Sequence, residues 1–579
     1  MRKWALMMLS TIVTVALISA SAVTAHNKQN RTAFQDSNPS PTDTPDRESL
    51  VGRIYTRDGA AINLLSKSLD IWEVNQESGY ILAAMGSGEY HRLLNQGYRI
   101  EIDQDKTTRI SQLNELLPGQ TTGIPEYPCY RTVEETYSDL AALSAAYPKL
   151  ARWTDIGDSW EKTASNEASG HDIHSLVLTK RAAGLTSPKP ILVVMAAIHA
   201  REYATGELAT RFAEHLLENY GSDADITWLL DYHEIHIIPV VNPDGRKLAE
   251  LGYYQRKNTN NTNGGACSVP PEAFSQYGTD LNRNYSYKWG GASLEACSET
   301  YQGPSATSEP ETVALEEYVR AMFPDQRGEG IEPAPDSTSG LFISLHSYGQ
   351  LVLWPWGYTY SPAPNELQLQ TLGHKLAFFN DYHPEQASDL YLTTGDSDDF
   401  VYGELGIAAY TFELGTDFFQ DCPDFEDTIL PNNLQALIYA AKSARRPYQA
   451  PAGPEVLDLR VEPWVVQSGS PIRVSGRADD TRAYPGMASQ TIAGARYSVD
   501  APAWITDTVV LPMSPADGNF DSYIEEAQTV IDTTGWSLGR HLIFVEGQDS
   551  DGNWGIPSAA FVWLGQLDFK AYLPVIDNP

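Results

Sequence analysis

The middle of the chain alternates continuous apolar runs with segments of helical periodicity. The runs PILVVMAAI, HEIHIIPVV, GLFISL and GIAAYTF predict strands that are buried on both faces. Apolar residues recur at helical spacing in GELATRFAEHLLENYG, ETVALEEYVRAMF and LPNNLQALIYAAKSARR. An earlier helix is predicted after Thr132, which stands in capping-box spacing with Glu135. Alternating strands and helices predict an α/β domain with a largely buried sheet, over residues 125–447.

The flanking segments follow other patterns. Residues 51–106 contain strand-like SLDIWEV, GYILAAM and YRIEID with helix-like GEYHRLLNQ, which predicts a small α+β unit. Residues 107–124 are polar and predict an exposed connector. After a linker at 448–455, residues 456–579 show short apolar runs divided by turns, with no helical period. This pattern is typical of an all-β, immunoglobulin-like sandwich.

The N-terminal segment predicts export. Arg2 and Lys3 precede a long apolar run that ends in small residues, as in a secretory signal peptide spanning residues 1–25. Residues 26–50 are polar and contain proline, which predicts a disordered leader. An uncleaved membrane anchor is the alternative interpretation, but no later segment is apolar enough to span a bilayer. We expect a secreted protein with no membrane attachment after signal cleavage.

The net charge limits the class of partner, and the cysteine count predicts disulfides. The chain has 40 basic and 75 acidic residues, a formal charge of −35, which argues against nucleic acid or anionic lipid as a partner. Four cysteines in an exported chain predict two disulfides, and three pairings are open. The nearest pair, Cys267 with Cys297, is favoured, and Cys129 and Cys422 remain.

Chemically active side chains follow the predicted strands directly. His199 and Glu202 come after the first run, His346 after the third and Glu413 at the end of the fourth. In an open α/β sheet, ligands gather at the carboxyl ends of the strands. Two imidazoles and a carboxylate form a ligand set of catalytic zinc, and a second carboxylate can take a proton from activated water. The short HxxE pattern alone is common by chance, so its weight depends on the other motifs.

The motifs HAREYATGE, NPDG, GTDLNRNYSYKW, YQGPSATSEPET, SLHSYGQLVLWPWG and YTFELG occur in one order between about Tyr130 and Arg446. Together they resemble the metallocarboxypeptidase A/B family, including secreted bacterial members such as carboxypeptidase T. The resemblance implies a mixed, mostly parallel twisted sheet flanked by helices. It also implies one Zn²⁺ per catalytic domain and hydrolysis of the C-terminal peptide bond of peptides and proteins.

Carried over by position, the resemblance also implies roles for individual residues. The zinc ligands would be His199, Glu202 and His346. Glu413 would act as general base and then as proton donor to the leaving amine. The remaining implied residues are Arg201 and Arg256 for the developing oxyanion, Asn282 and Arg283 for the terminal carboxylate, Tyr391 and Tyr348 for substrate contact, and Asp280 to orient His199.

The specificity pocket is less defined. Gly357, Thr393 and Asp398 fall where the family lines the pocket for the terminal side chain. Asp398 matches the acidic residue that favours terminal Lys or Arg in B-type members, although GDSDDF holds three carboxylates and a solvated loop acid is the other interpretation. We therefore expect broad specificity that includes basic residues.

Several further interpretations stay open. The N-terminal unit would cover the cleft until an activating protease cuts the connector, near Lys106 or Arg109. Asp549, Asp551 and Asn553 alternate as in a calcium loop, although a hairpin turn at Asp551-Gly552 explains them as well. The alternative functions are a zinc-dependent cell-wall amidase or acylase on the same fold, and a catalytically dead binding module. We expect a monomer.

Overall fold

The computed structural model describes residues 49–166, 168–181, 188–328, 330–482 and 489–565. The predicted signal peptide, residues 26–48 of the predicted leader and residues 566–579 of the predicted sandwich lie outside these ranges. Ser49 and Leu50, which were predicted to belong to the leader, form the start of a strand. The described part of the chain contains no helix that is long and apolar enough to cross a membrane.

Residues 49–109, called the N-terminal unit below, form a four-stranded antiparallel sheet in the order β2-β3-β1-β4. Its helices pack on a small core that includes Ile54, Ile81 and Leu93. The elements are β1 (Ser49–Tyr55), α1 (Gly59–Leu65), β2 (Ile71–Asn75), β3 (Tyr80–Gly86), α2 (Ser87–Asn95), β4 (Arg99–Ile102) and α3 (Gln104–Arg109).

The prediction of an exposed connector at residues 107–124 is partly wrong. Helix α3 extends through Arg109, and its N terminus is capped by the side chain of Asp103, which accepts a hydrogen bond from the backbone N–H of Lys106. Beyond it, residues 111–122 are mostly exposed. The exposed part of the connector is therefore shorter than the sequence indicated.

Residues 125–447, the central domain, contain an eight-stranded mixed sheet in the order β11-β10-β12-β9-β7-β8-β6-β5. The four central strands β12, β9, β7 and β8 are parallel, and antiparallel pairs lie toward both edges. The strands are β5 (Ala151–Asp158), β6 (Asp172–Leu178), β7 (Ile191–Met195), β8 (Glu234–Ile238), β9 (Leu341–His346), β10 (Leu351–Trp354), β11 (His383–Gln386) and β12 (Ala408–Glu413).

Helices cover both faces of this sheet, which keeps its central strands buried. The predicted capping box forms: Thr132 and Glu135 bond reciprocally at the start of α4. The helices are α4 (Val133–Ala146), α5 (Trp160–Ala164), α6 (Tyr203–Asn219), α7 (Ala224–Tyr232), α8 (Pro243–Ala249), α9 (Pro310–Met322), α10 (Glu366–Asn380), α11 (Ala387–Leu390), α12 (Ser397–Leu405), α13 (Cys422–Asp424) and α14 (Leu430–Ser443). A 3-10 turn at Leu281–Arg283 and a π turn at Phe425–Ile429 complete them.

The C-terminal sandwich, residues 455–565, packs two sheets around one apolar core. One sheet has the order β13-β15-β19-β18 and the other β14-β21-β20-β16-β17. The strands are β13 (Glu455–Glu462), β14 (Val465–Val466), β15 (Pro471–Asp479), β16 (Ile492–Val499), β17 (Val510–Pro512), β18 (Ser514–Pro515), β19 (Ile524–Asp532), β20 (Gly539–Asp549) and β21 (Ser558–Leu564).

The three parts share buried contacts, and both disulfides lie within the central domain. Phe544 and Ile556 of the sandwich join the main core of the central domain, and so does Trp72 of the N-terminal unit. Within the predicted linker, Tyr448 and Pro451 are buried. Disulfides join Cys267 to Cys297, as favoured from the sequence, and Cys129 to Cys422.

Candidate active site

The central strands bring the predicted residues to one edge of the sheet. His346 is the last residue of β9 and Glu413 the last of β12, and the two stand opposite each other in the parallel register. His199 follows β7, the other neighbour of β9, and Glu202 directly precedes helix α6. Because carboxyl ends of parallel strands meet at the same edge, residues far apart in sequence become neighbours.

Two imidazoles and one carboxylate converge at this edge. His199 Nδ1 lies 2.7 Å from Glu202 Oε1 and 3.1 Å from His346 Nδ1. His346 Nδ1 lies 3.4 Å from Glu202 Oε2. All three side chains are buried, and their candidate ligand atoms lie within 4.8 Å of one another. Among the described residues, no other group of three His, Cys, Asp or Glu side chains meets this condition.

The donor set fits a zinc ion. Glu202 Oε2 is buried and forms no hydrogen bond with any residue that the structure describes. A buried carboxylate oxygen without a donor is costly, and a cation would compensate it. Burial lowers the pKa of His346, which favours the neutral imidazole that binds metal. Two imidazole nitrogens and one carboxylate leave a fourth tetrahedral position for water.

Asp280 lies behind His199. Its Oδ1 is 3.2 Å from His199 Nε2, and its Oδ2 accepts a hydrogen bond from Arg256 Nε at 2.9 Å. Burial alone would raise the pKa of Asp280, but Arg256 and His199 outweigh it and hold that pKa well below its usual range. An ionised Asp280 accepts from Nε2–H, so the lone pair of His199 Nδ1 faces the cluster.

A cavity of about 100 Å³ adjoins the three candidate ligands. Most of the predicted substrate and catalytic residues line it: Arg256, Asn282, Arg283, Tyr348, Tyr391, Thr393, Asp398 and Glu413. Burial and the neighbouring Glu202 raise the pKa of Glu413 well above its usual range. The structure thus gathers cationic, amide and carboxylate groups around one small space.

The three carboxylates of GDSDDF have separate surroundings. Asp396 caps helix α12 and accepts from Thr393, while Asp399 accepts from the backbone N–H groups of Gly357 and Tyr358. Asp398 is buried and lines the cavity, so the interpretation as a solvated loop acid is wrong. Burial raises the pKa of Asp398 well above its usual range.

Arg201 and Gly357 do not line this cavity. The guanidinium of Arg201 is fully buried, where it donates to Glu299 Oε1 at 2.9 Å and pairs with Asp70 of the N-terminal unit. Gly357 lies behind Thr393, and a Cβ there would come within 2.3 Å of Thr393 Oγ1. These two residues adjoin the site from behind its wall.

Sequence reasoning missed the part of the wall that comes from the N-terminal unit. Asp70 and Trp72 line the cavity, and Asp70 Oδ1 lies 3.5 Å from Arg256 Nη1. Phe418, also missed, lines the cavity, and the guanidinium of Arg201 lies over its ring at 3.9 Å. The strand containing Trp72 was predicted, but no pattern in the sequence indicates which surface of the central domain it meets.

Known proteins are similar to this chain in sequence and in fold. The family model described as Zinc carboxypeptidase matches residues 136–434, which include all three candidate ligands and Glu413. Carboxypeptidase A1 of Rattus norvegicus is 30% identical over 340 residues, covering 56% of this chain and 72% of that protein. A zinc carboxypeptidase of Saccharothrix mutabilis subsp. capreolus is 27% identical over 387 residues, covering 65% and 83%. The structure of a carboxypeptidase A from Helicoverpa armigera has the same fold, with a TM-score of 0.54 at 22% identity over 70% of this chain and 98% of that one.

Proposed function

The chain belongs to the zinc carboxypeptidase family and is a zinc metallocarboxypeptidase, a hydrolase; from this premise we propose that it releases single residues from peptide C termini by means of the residues at the described site. The observation that carries this proposal is the convergence of His199, Glu202 and His346, within 4.8 Å, at the edge of the cavity that also contains Glu413. An amidase or acylase would not need the arginines that share this cavity.

The catalytic residues have distinct tasks in this proposal. His199, Glu202 and His346 would hold the zinc ion, which when bound supplies a Lewis acid that makes water a stronger nucleophile near neutral pH. Glu413 takes the proton of the attacking water and returns it to the leaving amine. Its place beside His346 in the strand register, and its burial, support this role. Arg256 lies in the same cavity and stabilises negative charge that develops on the carbonyl oxygen.

Binding of the terminal carboxylate makes the enzyme an exopeptidase. Asn282 and Arg283 line the cavity, and Arg283 Nη1 donates to the backbone oxygen of Asn282 at 2.7 Å, which orients the guanidinium. A guanidinium binds a carboxylate through two parallel hydrogen bonds. Capture of a free C terminus there places the last peptide bond at the ligand cluster. Tyr391 and Tyr348 line the cavity wall, where they would contact the substrate.

We propose that basic terminal residues are accepted because of Asp398. One of its carboxylate oxygens, Oδ1, is buried and no described residue donates to it. A Lys or Arg side chain entering the cavity would supply the missing donor and positive charge. Thr393 lines the same cavity, and Gly357 packs against Thr393 from outside it.

The N-terminal unit inhibits the uncleaved chain in this proposal. Asp70 pairs with both Arg201 and Arg256, so it occupies groups assigned to the substrate, and Trp72 narrows the cavity. We place the activating cut at residues 111–122, the exposed segment after α3, because Arg109 is held by Asn114 and Tyr127. Export is supported by the sequence of residues 1–25 and by the two disulfides.

Digestion of defined peptides tests the function. Protein that has been treated to remove the N-terminal unit is incubated with peptides ending in Arg, Phe or Glu, with and without a zinc chelator, and products are identified by mass spectrometry. We expect one residue to be released at a time, and no release with chelator or with Glu413→Gln. Cleavage at internal bonds, or full activity of Glu413→Gln, would contradict the proposal.

A further inference from the structure

A second cavity, of about 380 Å³, lies where the sandwich meets the central domain. It shares no lining residue with the active-site cavity. Its volume is within the range of small-ligand pockets. The walls that matter for its chemistry are Lys442, Arg445, Arg446, Arg496, Trp504 and Trp554.

Two of the four cations in these walls are neutralised. Arg496 Nε lies 2.6 Å from Glu546 Oε2, and Lys442 Nζ lies 2.6 Å from Asp225 Oδ2. Glu546 also lines the cavity, where it is paired with Arg496. The charge of the cavity is therefore decided by the other two cations.

Arg445 and Arg446 are not compensated. Neither guanidinium has a carboxylate within 4.0 Å among the described residues, and Arg446 Nη1 donates only to the amide oxygen of Gln449, at 2.8 Å. Burial and the adjacent Arg446 lower the pKa of Arg445 to about 10. In a chain with a formal charge of −35, two unpaired arginines beside one cavity make a local site of positive potential.

Tryptophans hold two of the guanidinium groups in place. The guanidinium carbon of Arg445 lies 4.6 Å from the ring centroid of Trp504, and that of Arg496 lies 3.7 Å from the centroid of Trp554. Stacking fixes the guanidinium planes before any ligand arrives. A ligand therefore has less side-chain freedom to remove on binding.

We propose that this interdomain cavity binds a small organic oxyanion, a carboxylate or phosphate carried on a group about the size of one sugar ring. The planar donors of Arg445 and Arg446 match the oxygens of such a group. Trp504 and Trp554 supply flat apolar walls for the body that carries it. Because both domains form the walls, the ligand binds only the assembled junction and stabilises it.

Calorimetric titration of the full-length, zinc-loaded protein tests this site. The probes are D-glucuronate, inorganic phosphate and neutral D-glucose. We expect saturable binding of glucuronate or phosphate and none of glucose, and the tighter of the two anions identifies the head group. Arg445→Gln should raise the Kd for that anion by about tenfold or more, because it removes a charge-assisted hydrogen bond. The matched control is Arg473→Gln, an exposed arginine of strand β15, which should bind like the wild type.

Arg445→Lys keeps the charge and removes the planar fork, so it should give an intermediate affinity even if Arg445→Gln folds poorly. A rise of the thermal midpoint with the bound anion, absent with glucose, supports the same site. The proposal is wrong if neither anion saturates the wild type at millimolar concentration, if glucose binds as well, or if both Arg445 variants bind like the wild type.

Discussion

Asp398 Oδ2 accepts a hydrogen bond from Thr411 Oγ1 at 2.7 Å, whereas no described residue donates to its Oδ1. Both residues line the active-site cavity. Thr411 therefore fixes the carboxylate and leaves one oxygen for an incoming group. A buried acceptor without a donor costs free energy that a cationic substrate can recover.

Asp398→Asn should alter the preference for the terminal residue. Asn cannot ionise opposite the substrate's cationic side chain, so kcat/KM for a peptide ending in Arg should fall by about 100-fold, because loss of a buried charge pair costs on the order of 3 kcal/mol. A peptide ending in Phe should change by only a few-fold. Steady-state kinetics of the two peptides, measured on the same preparation, give the ratio.

The control is Asp389→Asn, an exposed carboxylate on helix α11. It should leave both peptides unaffected. An equal loss for Arg and Phe peptides in Asp398→Asn would show that Asp398 supports the fold of the pocket and does not select the substrate.

Asp70→Ala should release activity from the uncleaved chain. Burial alone would raise the pKa of Asp70, but Arg201 and Arg256 outweigh it and keep the carboxylate ionised. Loss of its charge-assisted bonds weakens the contact of the N-terminal unit with the site. The rate on a peptide ending in Arg should rise several-fold before any proteolysis, and trimming should then add less than in the wild type.

Glu77→Gln, at an exposed position of the same unit, is the matched control and should stay as inactive as the uncleaved wild type. Inhibition by this unit is ruled out if the full-length wild type is already as active as the trimmed protein.

Lys375 and Glu455 join the central domain to the sandwich through a buried ion pair. Lys375 Nζ lies 2.6 Å from Glu455 Oε1, which also accepts from Tyr439. Lys375→Met leaves a buried unpaired carboxylate and should lower the free energy of unfolding by about 3–5 kcal/mol, whereas Lys375→Met with Glu455→Met should lose much less. Urea unfolding provides the values.

An exposed pair offers the comparison. Arg99 Nη2 lies 3.9 Å from Glu101 Oε2, and the two side chains are 74% and 55% exposed. Arg99→Met should therefore lower the free energy of unfolding by less than about 1 kcal/mol. A similarly small cost for Lys375→Met would mean that the junction does not depend on this pair.

His233 should make stability depend on acid pH. It is buried, and neither ring nitrogen has a hydrogen-bond partner in the described part of the chain. Burial, with smaller contributions from Arg445 and Lys189, lowers its pKa to about 3. Between about pH 6.5 and pH 3 the unfolded chain binds a proton at this residue that the folded chain does not, so stability falls as the pH falls.

His233→Phe should remove up to about 1.4 kcal/mol per pH unit of this slope, because the ring no longer titrates. Urea unfolding at pH 4 and pH 7 measures the difference from the wild type. His383→Gln, whose side chain is 71% exposed in the wild type, should keep the wild-type slope. Parallel slopes for the wild type and His233→Phe would contradict the assignment.

The strands that carry the candidate site were predictable, whereas the edges of the sheet were not. β7, β8, β9 and β12 are buried on both faces, so their apolar runs are continuous. β5 and β11 are partly exposed, and HPEQ in β11 has no apolar pattern. Periodicity detects a strand only where burial constrains its composition.

The site residues on the predicted strands were likewise found from the sequence, whereas the residue contributed by the N-terminal unit was not. His199, Glu202, His346 and Glu413 were found because each follows or ends a predicted strand, and the motifs ordered them. Asp70 was missed because it acts across the boundary between two folded units. Which surfaces of two such units meet depends on the complementarity of three-dimensional shapes, and local sequence does not encode it.

The proposed function requires that two imidazoles and a carboxylate share one zinc ion. Anomalous diffraction at the zinc edge, from crystals of the zinc-loaded protein, tests this requirement. We expect one peak per chain, about 2.0–2.2 Å from His199 Nδ1, His346 Nδ1 and an oxygen of Glu202. A zinc peak held by other residues, or no peak among these three side chains, would contradict it.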